Sequence, residues 1–201
     1  LDEDALSLPV RTGKARVIGI EPASLVTKSL VREVKTDDTG CFQSALNPGL
    51  TKIAVIERHK RTGKLGIGIL EGYGLTGGAI ATTISHDSHN IVVAGDNDPD
   101  MLLAVRELAD MGGGIVSVHG GAIRRLPLPI AGLMTSADPQ EVNAVLHDML
   151  VAARAELGIP EDVEPFMTLS FMALPVIPEL KLTARGLFNV NTFSFVGVEA
   201  D

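Results

Sequence analysis

Short apolar runs separated by turn residues dominate the first third of the chain. Such runs, bounded by Pro, Gly and polar clusters, predict β-strands. Leu30 and Val31 break the alternation of the second run and indicate a bulge, whereas the polar stretch 36–50 is typical of a loop. Residues 58–64 predict a hairpin connection in which Gly63 adopts the left-handed conformation. The four predicted strands are residues 15–21, 24–34, 51–57 and 65–71.

Apolar residues recur at helical spacing in the part of the chain that follows residue 72. Asp98 and Pro99 predict the start of a helix, with Asp98 as the N-cap and Pro99 at the first helical position. The glycines 112–114 predict its end. Buried-type runs around this helix predict further strands at residues 91–94, 115–118, 122–126 and 192–196.

A second long helix is predicted from Asp138 to Gly158. Asp138 and Glu141 have the spacing of a capping box, and Pro139 suits the first helical position. The buried stripe expected for this helix consists of Val142, Val145, Leu146, Met149 and Leu150. Prolines exclude long helices from the remainder of the chain and stand at positions 165, 175 and 178.

Together these elements predict an α+β (mixed α/β) fold. A β-rich N-terminal part, residues 1–71, precedes an α/β part, residues 72–201, that holds a sheet and two long helices. The whole chain, residues 1–201, is expected to form one domain with this subdivision.

Composition narrows the class of protein. The 201 residues carry 17 Lys+Arg against 25 Asp+Glu, a net charge of −8, and no basic run that could neutralise a nucleic-acid backbone. Aromatic residues are only 3%, which argues against a base-stacking surface. The single cysteine, Cys41, excludes an internal disulfide and fits a reducing compartment. With no leader-like segment and no apolar run of about 18 residues, we expect a cytoplasmic protein that binds neither membrane nor nucleic acid.

The segment Ser85–Asn90 is the strongest chemical signal. Six consecutive polar side chains, including His86, Asp87 and His89, lie between two apolar runs. Residues three apart share a face of a helix or tight turn, so the two histidines could bind a metal. Asp87 could instead orient an imidazole or bind an exocyclic amine or ring N–H. In the alternative interpretation, these residues cap turn ends and His89 merely packs.

Other polar or glycine-rich stretches are less specific. Glu57-Arg58-His59 is either a solvated hairpin shoulder or a face toward a neighbouring domain or subunit. The glycines between positions 72 and 78 match no phosphate-binding loop and indicate close backbone packing beside the His/Asp segment. The apolar, proline-bearing stretch 126–134 is expected to be buried, in the domain or at an interface. His119 and His147 are expected to lie at the surface, and Cys41 is not expected to be an activated nucleophile.

Several of these motifs occur in the order found in a known family. The sequence resembles the C-terminal domain of the bacterial adenine deaminases of the amidohydrolase superfamily, and the resemblance covers essentially the whole chain. The segments that carry it are residues 57–59 with 62–63, 72–75, 78–81, 86–90, 112–114, 126–129 with 132–134, and 174–180.

The resemblance implies hydrolysis of adenine to hypoxanthine and ammonia, with a C-terminal accessory domain supporting a catalytic barrel. In the family, a metal-bound hydroxide attacks C6 at a site of the N-terminal barrel, and the expected metal is Mn²⁺ or Fe²⁺. A (β/α)₈ barrel of typically about 250 residues does not fit in this chain. The implied partners are therefore adenine, an amidohydrolase barrel from the same gene or a separate polypeptide, and further copies in a homo-oligomer.

Residues that match the family segments become candidates for contact with the active site. His86, Asp87, Ser88, His89 and Asn90 are expected to close over the purine. Three further residues would line the same cleft or an interdomain contact, namely Glu57, Arg58 and His59.

Two other functions compete with this interpretation. The chain could be a non-catalytic structural or oligomerisation module in which residues 86–90 hold the fold together. It could also be an independent metallohydrolase that binds its metal through His86 and His89. The latter alternative is the weaker, because two ligands fall short of the three protein ligands usual at catalytic zinc-type sites.

Overall fold

An eight-stranded sheet built from four consecutive hairpins organises the fold. The computed structural model describes residues 4–200. The strands lie in the order β2-β1-β4-β3-β6-β5-β7-β8, and every neighbouring pair is antiparallel except β1 and β4. The strands are β1 (Lys14–Ile20), β2 (Thr27–Glu33), β3 (Leu50–Ile56), β4 (Leu65–Glu71), β5 (Gly78–Thr82), β6 (Ile91–Gly95), β7 (Gly114–His119) and β8 (Ala122–Pro127).

Three α-helices and a small second sheet cover the two faces of the large sheet. The helices are α1 (Asp98–Asp110), α2 (Pro139–Ala155) and α3 (Pro165–Phe171). A three-stranded antiparallel sheet has the order β11-β10-β9. Its strands are β9 (Leu180–Thr183), β10 (Gly186–Asn189) and β11 (Ser194–Phe195).

Alternation along the central strands explains why both faces need a cover. Ala54 and Ile56 of β3 point to the face that α1 covers with Met101 and Leu108. Ile53 and Val55 point to the opposite face, which holds buried residues of α2, α3 and the small sheet. Because successive side chains of a strand point to opposite faces, the central strands are buried throughout. The result is an α+β fold, as the sequence predicted, and the large sheet lies in the middle of it.

The sheet runs through the predicted boundary at residue 71 without interruption. Strand β3 pairs with β4 on one side and with β6 on the other. Strands from before and after residue 71 therefore share one hydrogen-bonded ladder.

The predicted bulge in the second strand is wrong. Strands β1 and β2 pair in an unbroken register that includes Val17 with Leu30 and Arg16 with Val31. Val31 interrupts the apolar alternation because β2 is an edge strand, and this side chain is 51% exposed.

Three details of the predicted elements also need correction. The N-cap of α1 is Asn97, whose side chain accepts a hydrogen bond from the N–H of Asp100, so Asp98 lies one position inside the helix. In α2 the predicted stripe member Val145 is 37% exposed, because the helix is buried only toward its C-terminal end. The last predicted strand shrinks to β11, and the hairpin of β9 and β10 was not predicted.

The remaining predicted elements are confirmed. Asp138 caps α2 by accepting a hydrogen bond from the N–H of Gln140, and Gly63 has a φ of 70° in the β3–β4 connection. Residues 36–50 form a loop that includes one short 3-10 turn. Within residues 4–200, every helix falls short of the length and apolarity needed to cross a membrane.

Candidate functional site

The candidate residues meet at one end of the large sheet. Ile56, the last residue of β3, pairs with Ile91, the first residue of β6, and Thr82 at the end of β5 pairs with Val92. The loop from β3 to β4 and the loop from β5 to β6 therefore leave the same end of the sheet. The first loop carries Glu57–His59 and the second carries Ser85–Asn90, so the two candidate segments lie side by side.

Arg58 joins three loops through its guanidinium group. Its Nε donates to the carbonyl of His89 at 2.6 Å, and its Nη2 donates to the carbonyl of Ala131 at 2.7 Å. The guanidinium lies against Gly132, where a Cβ atom would come within 2.8 Å of Nη2. Arg58 thus connects the backbone of the candidate segment to the β3–β4 loop and to the loop after β8.

Thr83 makes a second connection between loops just before the segment. Its hydroxyl accepts a hydrogen bond from the N–H of Gly114 at 2.8 Å and donates to the carbonyl of Gly132 at 2.6 Å. The side chain is 2% exposed. The chain entering residues 85–90 is therefore fixed to β7 and to the loop after β8.

Glu57 orders the β3–β4 loop itself, and His59 reaches from that loop to the turn. The Glu57 carboxylate accepts hydrogen bonds from the N–H groups of His59, Lys60 and Thr62 and from the Thr62 hydroxyl. These donors stabilise the ionised form and lower the pKa of Glu57 to about 2. His59 Nε2 lies 2.7 Å from the carbonyl of Ser88. Both side chains act on the backbone of the loops in this structure.

Residues 85–89 form a single tight turn. The N–H of His89 donates to the carbonyl of Ser85 at 2.6 Å, and the N–H of His86 donates to the carbonyl of Ser170 at 3.0 Å. The His86 ring packs on Phe171 with 4.5 Å between ring centroids. The turn is thereby anchored to α3 as well as to the β3–β4 loop.

The two imidazoles lie close together inside this turn. Their ring centroids are 5.7 Å apart in an edge-on arrangement. Burial lowers the pKa of His89, and the positive charge available on His86 and Arg58 lowers it further. A neutral His89 keeps a lone pair with which one ring nitrogen can accept a hydrogen bond.

Asp87 and Ser88 point outward from the tip of the turn. Both are exposed, and within residues 4–200 the Asp87 carboxylate has no hydrogen bond or ion pair. At the two ends of the turn, Ser85 Oγ and Asn90 Oδ1 are buried and have no partner in the described part of the chain. The segment thus offers polar groups that the domain itself does not satisfy.

The metal-binding candidates, His86 and His89, lack further ligands. No group of three or more His, Cys, Asp or Glu side chains suited to a metal occurs in residues 4–200. Catalytic sites of the zinc type have three protein ligands, so the two histidines do not form such a site by themselves.

Two cavities flank the turn. One, of about 310 Å³, lies between Ile84, His86 and Phe171. The other, of about 840 Å³, is lined in part by Asp87, Ser88 and Asn90 of the turn. The rest of its lining is mainly apolar and includes Val176, Phe188, Phe193 and Phe195. We call this second cavity the aromatic groove.

The glycine-rich stretch 72–78 packs closely, as predicted, but not beside the candidate segment. A Cβ atom on Gly78 would lie 1.9 Å from the carbonyl oxygen of Val118. Gly78 begins β5, whereas the candidate segment follows the end of β5. The two motifs therefore lie at opposite ends of strand β5.

The remaining predictions concern the two histidines expected at the surface, Cys41 and the apolar stretch 126–134, and the structure agrees with them only in part. His147 is exposed on α2, whereas His119 is half-buried and its Nδ1 lies 2.8 Å from the carbonyl of Gly77. Cys41 contacts Ser7, with 3.0 Å between sulfur and hydroxyl oxygen. In the stretch 126–134, Leu126 and Leu128 are buried, but Ile130 and Met134 are 46% and 58% exposed.

Sequence reasoning missed several residues that build the site. Thr83, Gly132 and Phe171 position the turn, and the rings of the aromatic groove line the same cavity as Asp87. The apolar stretch 126–134 did signal an unusual loop, but nothing in its spacing identified Arg58 as its partner. No local pattern marked Thr83 or Phe171.

Comparisons with known proteins agree with one another. The family model for the adenine deaminase C-terminal domain matches residues 24–194. An adenine deaminase of Nitratidesulfovibrio vulgaris strain Hildenborough is 60% identical, covering 98% of this chain and 34% of its own length. The adenine deaminase 2 of Carboxydothermus hydrogenoformans is 47% identical, with 98% and 35% covered. The adenine deaminase of Clostridium acetobutylicum is 45% identical, with 98% and 34% covered. The chain spans about a third of the length of the curated relatives it matches.

Proposed function

The chain belongs to the adenine deaminase C-terminal domain family, and on this premise we propose that it is part of an enzyme that hydrolyses adenine to hypoxanthine and ammonia. The proposal extends to a location in the cytoplasm and a role in purine breakdown. The relatives that support it carry the name adenine deaminase and are about three times as long as this chain. The remaining two thirds of such a protein would hold the catalytic barrel.

The role proposed for this domain is to complete the active site with the turn 85–90. The observation that carries it is the position of Asp87 and Ser88, exposed at the tip of a turn whose backbone is fixed by Arg58 and His59. A rigid turn can place a carboxylate reproducibly, because little conformational freedom is lost on binding. The domain therefore presents preorganised hydrogen-bonding groups to whatever faces this end of the sheet.

Asp87 and Ser88 can recognise the edge of a purine. An ionised carboxylate accepts hydrogen bonds, so Asp87 suits the exocyclic amine or a ring N–H of adenine. The Ser88 hydroxyl can donate to a ring nitrogen or to the oxygen that replaces the amine. Arg58, His59 and Glu57 act as positioning residues, since each bonds to loop backbone.

The divalent metal, Mn²⁺ or Fe²⁺, is proposed to belong to the barrel. Such a metal supplies hydroxide at neutral pH, but the described residues of this chain offer no group of three ligands for it. We therefore assign no step of metal chemistry to His86 or His89.

The proposal is tested in a chimera in which this chain replaces the matching third of the Nitratidesulfovibrio relative. We expect Asp87→Ala to lower kcat/KM for ammonia release from adenine about 10- to 100-fold, because a hydrogen bond to a charged group contributes about 1.5–3 kcal/mol. Asp38→Ala is the matched control, since Asp38 is also an exposed carboxylate but lies in the loop 36–50.

The two variants separate the competing functions. If Asp87→Ala and Asp38→Ala have the same kcat/KM as the parent chimera, residues 86–90 do not serve the active site. The domain would then be a structural or oligomerisation module. A loss of activity confined to Asp87→Ala, with an unchanged melting temperature, supports contact with substrate.

A further inference from the structure

We propose that the aromatic groove is the surface on which this domain docks against the catalytic part of its own enzyme, that is, the two thirds of the longer relatives that this chain does not cover. The inference rests on the proposed function and adds the interface to it.

Three large apolar side chains of the groove are exposed. Phe193 is 77% exposed, Val176 is 67% exposed and Phe195 is 43% exposed, and the first two values are the highest among the large apolar residues described. Removing such side chains from water favours association. Contiguous exposed apolar patches of this kind mark interaction surfaces.

Contacts within the domain position the phenylalanine rings of the groove in the absence of a partner. Phe188, which is 8% exposed, packs edge-on against both Phe193 and Phe195, with ring centroids 5.3 and 5.2 Å apart. The guanidinium of Arg185 lies 4.8 Å from the centroid of the Phe195 ring. Half of the six phenylalanines of the chain are in this group. Prearranged aromatic side chains are typical anchors of interfaces, because little entropy is lost when they are buried.

The groove is continuous with the candidate site. Asp87, Ser88 and Asn90 line the same cavity as the phenylalanines. A body that covers the rings must therefore come to lie against the tip of the turn. This is the arrangement that the proposed function requires of the catalytic part.

The remaining two thirds of the enzyme fit this surface better than a second copy does. That part is covalently attached in the relatives, so it meets the groove at a high effective concentration. A second copy would bring a further net charge of −8, which opposes association. Other exposed apolar residues, such as Val31 on β2 and Val151 on α2, lie outside the groove.

Thiol labelling of the same chimera tests the inference. Cysteine is placed singly at Phe193 or Val176 in the groove and, as controls, at Val151 or Val31, which are each 51% exposed in this domain. Each protein reacts with a maleimide, and the rate at that position is followed by peptide mass spectrometry. We expect Phe193→Cys and Val176→Cys to react at least 10-fold more slowly than the controls, although the domain alone exposes them more.

Dilution of the protein identifies what covers the groove. Docking within one chain gives protection that does not change over a 100-fold dilution, whereas a second copy gives protection that is lost. Equal or faster labelling in the groove than at the controls overturns the inference, and so does protection that depends on concentration. The two reporters in the groove guard against misfolding of either variant.

The thiol-labelling experiment and the Asp87→Ala experiment can succeed or fail independently of each other. Protected groove cysteines together with a fully active Asp87→Ala variant would retain the interface and reject the role of the turn. Unprotected groove cysteines together with an inactive Asp87→Ala variant would reject the interface and retain the role of the turn.

Discussion

At the scale of single residues, two buried lysines differ in how their charge is compensated. Lys52 is 2% exposed, and its ammonium pairs with Asp98 at 2.6 Å and donates to the carbonyl of Leu6. Lys181 is fully buried, and its ammonium donates to the carbonyl of Leu25 at 2.8 Å without a carboxylate partner in the described residues. Burial without a counter-charge lowers the pKa of Lys181 to about 8.

Because of this difference, we expect replacement by methionine to change the free energy of unfolding in opposite directions at the two positions. We expect Lys181→Met to raise the free energy of unfolding at pH 7 by as much as about 3 kcal/mol, because each unit of pKa difference corresponds to about 1.4 kcal/mol. Lys52→Met should lower it by about 1.5–3 kcal/mol, because Asp98 loses its partner. Urea unfolding of the parent and both variants measures these changes.

The pH dependence provides an independent check on Lys181. In the parent, the folded chain loses this proton near pH 8 while the unfolded chain retains it to higher pH. The free energy of unfolding should therefore rise between pH 8 and 10. In Lys181→Met this rise should be smaller, and parallel curves for parent and variant would contradict the assignment.

At the scale of elements, the candidate site depends on contacts among loops that follow different strands. Arg58 from the β3–β4 loop and Thr83 at the end of β5 both bond to the loop after β8. Gly132 in that loop has a φ of 74° and lies against the Arg58 guanidinium. A side chain at this position therefore has both a conformational cost and a steric one.

A pair of glycine substitutions separates these two costs. Gly132→Ala and Gly120→Ala both place a side chain at positive φ, which costs about 1 kcal/mol. At Gly120 the new Cβ has no heavy atom within 4 Å, whereas at Gly132 it would contact Arg58. We expect Gly132→Ala to be less stable than Gly120→Ala by a further 1–3 kcal/mol, roughly the range for hydrogen bonds to a charged group.

Hydrogen exchange locates the effect of the substitution. Amides of residues 84–90 should exchange faster in Gly132→Ala and at the parent rate in Gly120→Ala. Unchanged exchange in both variants would mean that Arg58 does not hold the turn.

At the scale of the whole molecule, the most exposed apolar side chains lie next to the exposed polar tip of the turn. Asp87 and Ser88 share the aromatic groove with exposed Phe193 and Phe195. The same region lacks a set of metal ligands in the part of the chain that the structure describes. These features suit a domain that completes a site located mainly on another part of the enzyme.

This view predicts the behaviour of the 201-residue chain alone. With adenine and added Mn²⁺ or Fe²⁺, we expect no ammonia release and no stoichiometric metal by elemental analysis, since His86 and His89 lack a third ligand. Turnover accompanied by one bound metal per chain would show that these histidines belong to a complete site. The parent chimera is the positive control.

Much of the fold could be predicted because most of its elements have a recognisable local sequence pattern. The strands β3, β4 and β6 follow from short apolar runs bounded by turn residues, and the helices α1 and α2 follow from helical periodicity and caps. The bulge at Leu30 was wrong because an edge strand can expose an apolar side chain such as Val31. The β9–β10 hairpin was missed because its strands have four residues each and are too short for a clear period.

By itself, the sequence determined the α+β class, most of the strands and helices, the polar segment 85–90 as the main candidate, and the resemblance to the adenine deaminase C-terminal domain. Local periodicity and a rare run of polar residues suffice for these. Only the tertiary structure decided that Arg58 and Thr83 fix the turn, that the glycines 72–78 lie at the other end of β5, and that Phe193 faces the same groove as Asp87. The reason is physical: these relations depend on the order and register of strands distant in sequence, which the pairing of the whole sheet sets and no local pattern encodes.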